Sequence, residues 1–224
     1  MKKTIIPLII STLFVGGLYA QQITGIAVFS KIGYTSLSGS ASTLNKIAPS
    51  YRGFSNDFVT AGAEAYYRTN KIILALDGSI GLQNAKSTPT KWTDVSAGSA
   101  YARFGWIITE KRHYWIYPSI GLGIAGIDIN THNYETDEVT NLKNKLLSSP
   151  SFDVGFNADY IVNKIIDPEG YGTLFFGLRT GYRLSIKSCE WWDNDGNKIK
   201  NMPSYGYNGF YIMVTIGGGG FVRK

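Results

Sequence analysis

The feature that most constrains this chain is a period of two in hydrophobicity, repeated along most of its length. From Ile72 to Leu82 the even positions are nearly all large and apolar, whereas the odd positions from Ala75 onward carry Ala, Asp, Ser and Gly. Such alternation predicts a strand with one apolar and one polar face. Seven further segments alternate clearly or more weakly, at about 23–34, 59–67, 99–108, 116–124, 152–160, 174–185 and 210–216. We therefore expect an all-β chain of eight two-faced strands.

The connections between these segments alternate in length. Longer stretches lie at about 37–57, 84–93, 128–150 and 187–206, and shorter ones lie at 68–71, 110–113 and 163–172. An even number of strands joined in this way predicts an antiparallel up-and-down barrel, with the longer connections at one end and both termini at the other. The register of the first segment stays open, because Phe29 and Lys31 share a face there.

The N-terminal residues form a separate unit. Lys2 and Lys3 precede an apolar run from Ile5 to Val15, and small residues then lead to Ala20. This order is typical of a secretory signal peptide, and the run is shorter than the roughly 20 apolar residues of a spanning helix. We predict a signal peptide over residues 1–20, cleaved near Ala20, and a barrel domain over residues 21–224.

Composition favours one of the two possible orientations of the strands. A soluble lipocalin-like carrier turns its apolar face inward, whereas a transmembrane barrel turns it toward lipid. Charged residues are only 17% of the chain, and the polar faces are rich in Gly, Ala and Ser, which is unusual for a water-exposed surface. The apolar faces would also overfill the interior of eight strands. We predict an eight-stranded antiparallel transmembrane β-barrel, with the soluble carrier as the alternative.

Aromatic residues near the predicted strand ends favour the same orientation, because such residues are enriched at membrane interfaces. One group falls at the end with the short turns and the other at the end with the long loops: Tyr66, Tyr67, Trp106, Tyr114, Trp115, Tyr117 and Tyr160, and then Tyr34, Phe58, Phe152, Tyr207 and Phe210. We predict two aromatic girdles around an aliphatic band.

The polar faces carry single charges of both signs, at Glu64, Asp77, Arg103, Asp153, Asp159, Arg179 and Arg183. The interior of an eight-stranded barrel is just wide enough for its own side chains. A lone interior charge is costly, so we predict that these residues form a buried network of ion pairs in the lumen. The alternative is a gated ion path lined by the arginines and the aspartates at 153 and 159.

The leader, the eight alternating segments and the alternating loop lengths together resemble small bacterial outer-membrane β-barrel proteins of the OmpX or OmpA transmembrane kind, including the porin-like barrel family. The resemblance implies an integral, multi-pass location in the outer membrane of a Gram-negative cell envelope. Proteins of this kind often end in an aromatic closing strand, whereas this chain ends in four glycines, Phe221 and three further residues. We expect Phe221 to be the terminal aromatic, with a short tail beyond it.

The sequence gives little support for catalysis or metal binding. His113 falls in a short turn, and His132 lies in a predicted loop without an adjacent serine. The single cysteine, Cys189, has no histidine near it in sequence. The Asp193–Asn197 stretch resembles the start of a calcium loop but lacks the distal glutamate, and an Asp-Gly turn explains it equally. We predict no catalytic residue, metal or cofactor, and calcium binding at this loop stays open.

The last long connection contains the candidate external contact, at Trp191, Trp192, Tyr205 and Tyr207. Exposed aromatic residues suit partner binding, whereas the alternative is that they cap the rim or sit among lipid headgroups. The scattered basic residues and a net charge of +6 do not indicate nucleic-acid binding. We predict a non-enzymatic barrel with a structural or interaction role, whose partners are outer-membrane lipid and other envelope proteins met through its longer loops. A narrow porin-like channel and a lipid-A-modifying enzyme are the alternatives.

Overall fold

The computed structural model describes residues 23–47, 53–87, 91–133, 145–162, 172–188, 191–193, 197–199 and 203–223. The predicted signal peptide and Cys189 lie outside these residues, as does most of the candidate calcium loop. No helix in the described segments is long and apolar enough to cross a membrane.

Eight long strands dominate the fold, as the alternating segments predict. They are β1 (Ile23–Leu37), β2 (Asp57–Thr69), β3 (Ile72–Leu82), β5 (Lys91–Trp106), β7 (Tyr114–Asn133), β8 (Lys145–Ile161), β9 (Gly172–Ser185) and β11 (Gly209–Arg223). The shorter elements are α1 (Ser40–Ile47), β4 (Lys86–Ser87), β6 (Thr109–Lys111) and β10 (Trp191–Trp192).

The eight long strands pair in sequence order, and every pairing is antiparallel. The sheet closes because β1 also pairs with β11, from Ile23 opposite Arg223 to Leu37 opposite Gly209. We call the end that carries residues 70–71 and 112–113 the turn end, and the end that carries α1 and β10 the loop end. The predicted eight-stranded antiparallel barrel is confirmed.

The orientation of the strands is also confirmed. Large apolar side chains of alternate positions lie on the outside, where Leu76 is 69% exposed and Ile80 63%, whereas Asp77 between them is 5% exposed. A continuous apolar belt of this size is unfavourable in water, so this surface faces the hydrocarbon of a membrane. The lipocalin-like alternative required the opposite orientation and is contradicted.

Three details of the sequence interpretation are corrected. Strands β5, β7 and β8 extend into stretches predicted as loops at 84–93 and 128–150, because the ladder continues where outward side chains such as Asp128 turn polar. β11 continues beyond the predicted segment at 210–216 through the C-terminal glycines, and Val222 and Arg223 of the predicted tail also belong to it. Phe221 points inward and is 1% exposed, and Gly217 leaves room for the Phe29 ring.

The two aromatic girdles are only partly present. Six of the predicted residues are exposed on the outer wall: Tyr67, Tyr114 and Tyr160 toward the turn end, and Tyr34, Phe152 and Phe210 toward the loop end. Five others point inward and are buried: Tyr66, Trp115, Tyr117, Phe58 and Tyr207. Strand parity decides between the two, because neighbouring residues such as Tyr66 and Tyr67 face opposite sides of the sheet.

Candidate functional site in the barrel interior

The seven charged side chains predicted for the lumen all point inward and are buried. Arg179 of β9 makes the closest contacts among them. Its Nη1 donates to Asp159 Oδ1 at 2.6 Å, and its Nη2 donates to Glu64 Oε1 at 2.8 Å. Two carboxylates from β8 and β2 therefore share one guanidinium, although Glu64 and Arg179 are 115 residues apart in sequence.

Arg103 of β5 joins this cluster to the rest of the network. Its Nη1 lies 3.4 Å from Glu64 Oε2 and 3.3 Å from Asp77 Oδ2. On its other side, Nη2 donates to Asp153 Oδ2 at 3.2 Å. Arg183 Nε approaches the same Asp153 oxygen at 3.6 Å. Arg103 thus contacts three carboxylates and is the centre of the network.

An eighth member, Lys31 of β1, was missed by the sequence interpretation. Its ammonium pairs with Asp77 and is as buried as the carboxylate that it contacts. Lys31 was not recognised because Phe29 shares its face, which made the polar side of the first segment ambiguous. With Lys31 included, four cations face four anions, so the network is formally neutral. Neutrality matters here because an uncompensated charge in a buried site is strongly destabilising.

Tyrosines complete this middle layer of the interior. Tyr117 donates to Asp159 Oδ2 at 3.2 Å, and Tyr211 donates to Asp153 Oδ1 at 3.1 Å. The Arg183 guanidinium also lies 4.6 Å from the centre of the Tyr211 ring. Through Tyr117 on β7 and Tyr211 on β11, all eight barrel strands contribute to the layer. A cavity beside Glu64 and Arg103 measures about 10 Å³, roughly the space of one water molecule.

The turn end of the interior is closed by an apolar layer. Its aromatic members pack with ring centroids between 5.1 and 6.4 Å apart, and they are Phe29, Tyr66, Trp115, Phe175 and Phe221. The Arg68 guanidinium lies 3.9 Å from the centre of the Trp115 ring and pairs with Glu110 at 2.7 Å. Sequence reasoning missed Arg68 because it was assigned to the predicted turn at 68–71, whereas it lies near the end of β2.

The loop end is closed by a second apolar layer. Leu44 of α1 is buried in it together with Phe58, Ile127 and Leu147. The short helix therefore lies across the mouth of the barrel, with its apolar residues toward the interior. Leu44 fell within a connection that the sequence interpretation treated as polar, so this cap was not predicted.

The predicted external contact is corrected at three of its four residues. Trp191, Tyr205 and Tyr207 are buried in the loop-end layer, and only Trp192 is substantially exposed, at 44%. β10 pairs with β8, which places Trp191 beside inward-facing Leu147 and Trp192 beside outward-facing Leu146. Trp191 Nε1 donates to the Pro203 carbonyl at 2.9 Å, and Tyr205 donates to the Ser38 carbonyl at 3.1 Å. These contacts hold Trp191 and Tyr205 over the barrel mouth.

Two buried phenols of this layer, those of Tyr205 and Tyr207, are neutral. Burial raises the pKa of Tyr205 and of Tyr207, because a phenolate is poorly solvated there. Both side chains therefore keep their protons at physiological pH.

His132 lies on the outer wall near the loop end, where it stacks on Trp92 with ring centroids 3.9 Å apart. Its Nε2 is 3.2 Å from Asp94 Oδ1, which is the arrangement of a base and an orienting acid. The sequence did not indicate this pair, because Asp94 lies on a neighbouring strand. Within the described residues, no hydroxyl or thiol side chain hydrogen-bonds to His132, and its Nδ1 has no partner. The described residues therefore do not assemble a catalytic triad there.

No group of three or more His, Cys, Asp and Glu side chains suited to a metal ion occurs among the described residues. The chemistry that the interior can support is electrostatic: a neutral, cross-linked polar layer held between two apolar layers.

A closed eight-stranded barrel with an apolar outer belt and a filled interior defines a small outer-membrane β-barrel protein. No family model matches the chain, and no curated protein matches it. The chain is similar to several solved outer-membrane barrels at low identity. Neisserial surface protein A is 14% identical with a TM-score of 0.45, covering 88% of this chain and 96% of that one.

Two further structures are similar at the same level. Ail, the attachment invasion locus protein of Yersinia pestis, is 11% identical with a TM-score of 0.44, covering 90% of this chain and 99% of that one. The outer membrane protein OprG from Pseudomonas aeruginosa is 13% identical with a TM-score of 0.36, covering 92% and 97%.

Proposed function

We propose that this protein is a non-enzymatic, non-conducting outer-membrane barrel with a structural or interaction role, which presents its loop end outside the cell. The observation that carries the proposal is the layering of the interior. A neutral network of eight charged side chains fills the middle of the barrel, and apolar layers lie across it on both sides.

The layering argues against the porin-like alternative. An ion entering from either end would first meet a dry layer of aromatic and aliphatic side chains, which is costly for a charge. It would then have to displace guanidinium–carboxylate contacts as short as 2.6 Å. Opposite charges that already neutralise one another also offer little attraction to a passing ion.

Conductance of pure, refolded protein in planar bilayers tests this proposal. We expect no steady conductance steps from protein whose insertion is verified by a heat-modifiability gel, under conditions in which a co-reconstituted porin conducts. Steady steps from the wild-type protein would contradict the proposal if their size changed in an Arg183→Ser variant, because ions would then pass along the lumen.

The non-enzymatic role is supported at His132, around which the described part of the chain assembles no triad. Lipid A extracted from cells with and without the protein is expected to give the same mass spectrum. Loss of an acyl chain that depended on both His132 and Asp94 would replace this proposal with a lipid-A-modifying enzyme.

The exposed surface at the loop end supports the interaction role. α1 and β10 cover the barrel mouth there, and Trp192 is available on the outer side. We therefore propose Trp192, rather than the full set of four aromatic residues, as the centre of contact with outer-leaflet headgroups or with other envelope proteins.

A further inference from the structure

A groove of about 920 Å³ runs over the outer wall of the barrel on the side of β3, β5, β7 and β8. Its size falls within the range of about 300–1,000 Å³ that is typical of ligand sites. The groove lies outside the interior network and is not used by the proposed function.

The floor of the groove is formed by outward positions that lack bulky side chains. Gly98 of β5 and Gly126 of β7 are direct partners in the ladder, and Ile80 lies beside Gly98 on β3. A Cβ atom added at Gly98 would meet no atom within 4 Å, so the space above the floor is open. Exposed Ile80, Ile124 and Leu146 form the sides.

The groove carries charge at one end. Asp128 lines it toward the loop end, opposite Ser96 in the ladder. Asn130 Nδ2 donates to Asp128 Oδ2 at 3.1 Å and lies 3.4 Å from Asp94 Oδ2, so two outward carboxylates share one amide. Away from this end, the lining is mostly glycine, alanine and aliphatic side chains, with the serines at 79, 99 and 148 among them.

We propose that the groove is a lipid site, which seats an acyl chain of a membrane lipid whose headgroup carries an ammonium group. The surroundings supply the first argument, because this wall faces hydrocarbon and an acyl chain can fill an open apolar groove there. Charge complementarity supplies the second, because Asp128 and Asp94 attract a cation at the polar end and repel a purely anionic headgroup. The proposal goes beyond the proposed function, since it requires neither a sealed lumen nor a contact at Trp192.

Native mass spectrometry of the protein released from nanodiscs tests the site. The probe is an equimolar mixture of phosphatidylethanolamine and phosphatidylglycerol with identical acyl chains. We expect the wild-type protein to retain phosphatidylethanolamine preferentially. In Gly98→Leu, which fills the groove, retention is expected to fall by about tenfold, a loss of roughly 1.4 kcal/mol in binding.

The matched control is Gly220→Leu. Gly220 is an exposed glycine of a barrel strand, and a Cβ atom there would, as at Gly98, meet nothing within 4 Å. We expect this variant to retain lipid as the wild-type protein does. Asp128→Asn leaves the groove open and removes only a charge, so it is expected to lose the preference for phosphatidylethanolamine while still retaining lipid.

Three results would overturn the proposal. The first is equal retention of lipid by Gly98→Leu and the wild-type protein. The second is an unchanged headgroup preference in Asp128→Asn. The third is a dimer that disappears in Gly98→Leu, because the groove would then be occupied by a second copy of this chain. Conductance measurements stay independent of all three.

Discussion

The inner and outer faces of the barrel are built from the same strands but hold together in different ways. Outside, side chains such as Leu76 and Ile80 contact fluid lipid chains, so one aliphatic side chain can replace another at little cost in stability. Inside, each charged side chain has particular partners, and Arg103 alone contacts three carboxylates. The difference shows that the outer face requires only hydrophobic side chains, whereas the inner face requires particular residues at particular positions.

The largest expected effect comes from breaking the inner face at its centre. Arg103→Met keeps much of the side-chain volume but leaves the four buried carboxylates facing three cations. We expect the free energy of unfolding to fall by about 3–5 kcal/mol, the usual cost of an uncompensated buried charge. Urea titration in lipid vesicles, followed by the heat-modifiability gel, measures it.

The neighbouring outward residue supplies the control for this prediction. Phe104→Leu lies next to Arg103 in sequence but on the lipid side, and we expect a change within about 0.5 kcal/mol. The double variant Lys31→Met with Asp77→Asn keeps the layer neutral, so its cost should be smaller than the sum of its two single variants. Equal effects of Arg103→Met and Phe104→Leu would show that the network contributes no specific stability.

The outer face is tested by adding a charged side chain of the kind that the inner face accommodates. Leu76→Arg places a guanidinium in the apolar belt, next to inward-facing Asp77. We expect a destabilisation of about 2–4 kcal/mol if this position lies near the middle of the bilayer. The same urea titration measures it, with Leu76→Val as the aliphatic control. A neutral outcome for Leu76→Arg would contradict burial of this belt in hydrocarbon.

The smallest effect is expected at Trp192, which lies one residue from buried Trp191 but faces the outside. Trp192→Ala should change the free energy of unfolding by no more than about 0.5 kcal/mol, because the ring is largely outside the packed layers. Trp191→Ala should cost about 3–5 kcal/mol, since it leaves a cavity among buried side chains. Tryptophan fluorescence during unfolding follows both variants. A reversed order would mean that β10 is shifted by one residue relative to β8.

Much of the fold could be predicted because a barrel strand repeats every two residues. In β3, the alternation of Leu74, Leu76 and Ile80 with Ala75, Asp77 and Ser79 is a local property, and the backbone must satisfy its hydrogen bonds in the sheet. The same local pattern failed in β1, where Phe29 concealed Lys31. It also failed near the loop end, where polar outward residues such as Asp128 made strands resemble loops.

The sequence by itself determined the number of strands, their two faces and the set of charges available to the interior. Only the tertiary structure decided that Arg103 is the centre of the network, that Trp191 faces inward while Trp192 faces outward, and that Gly98 and Gly126 adjoin. The physical reason is that these relations depend on the register between strands distant in sequence and on the closure of the sheet. A periodic pattern specifies which side of a strand a residue occupies, whereas its partner across the lumen is specified by strand register together with closure.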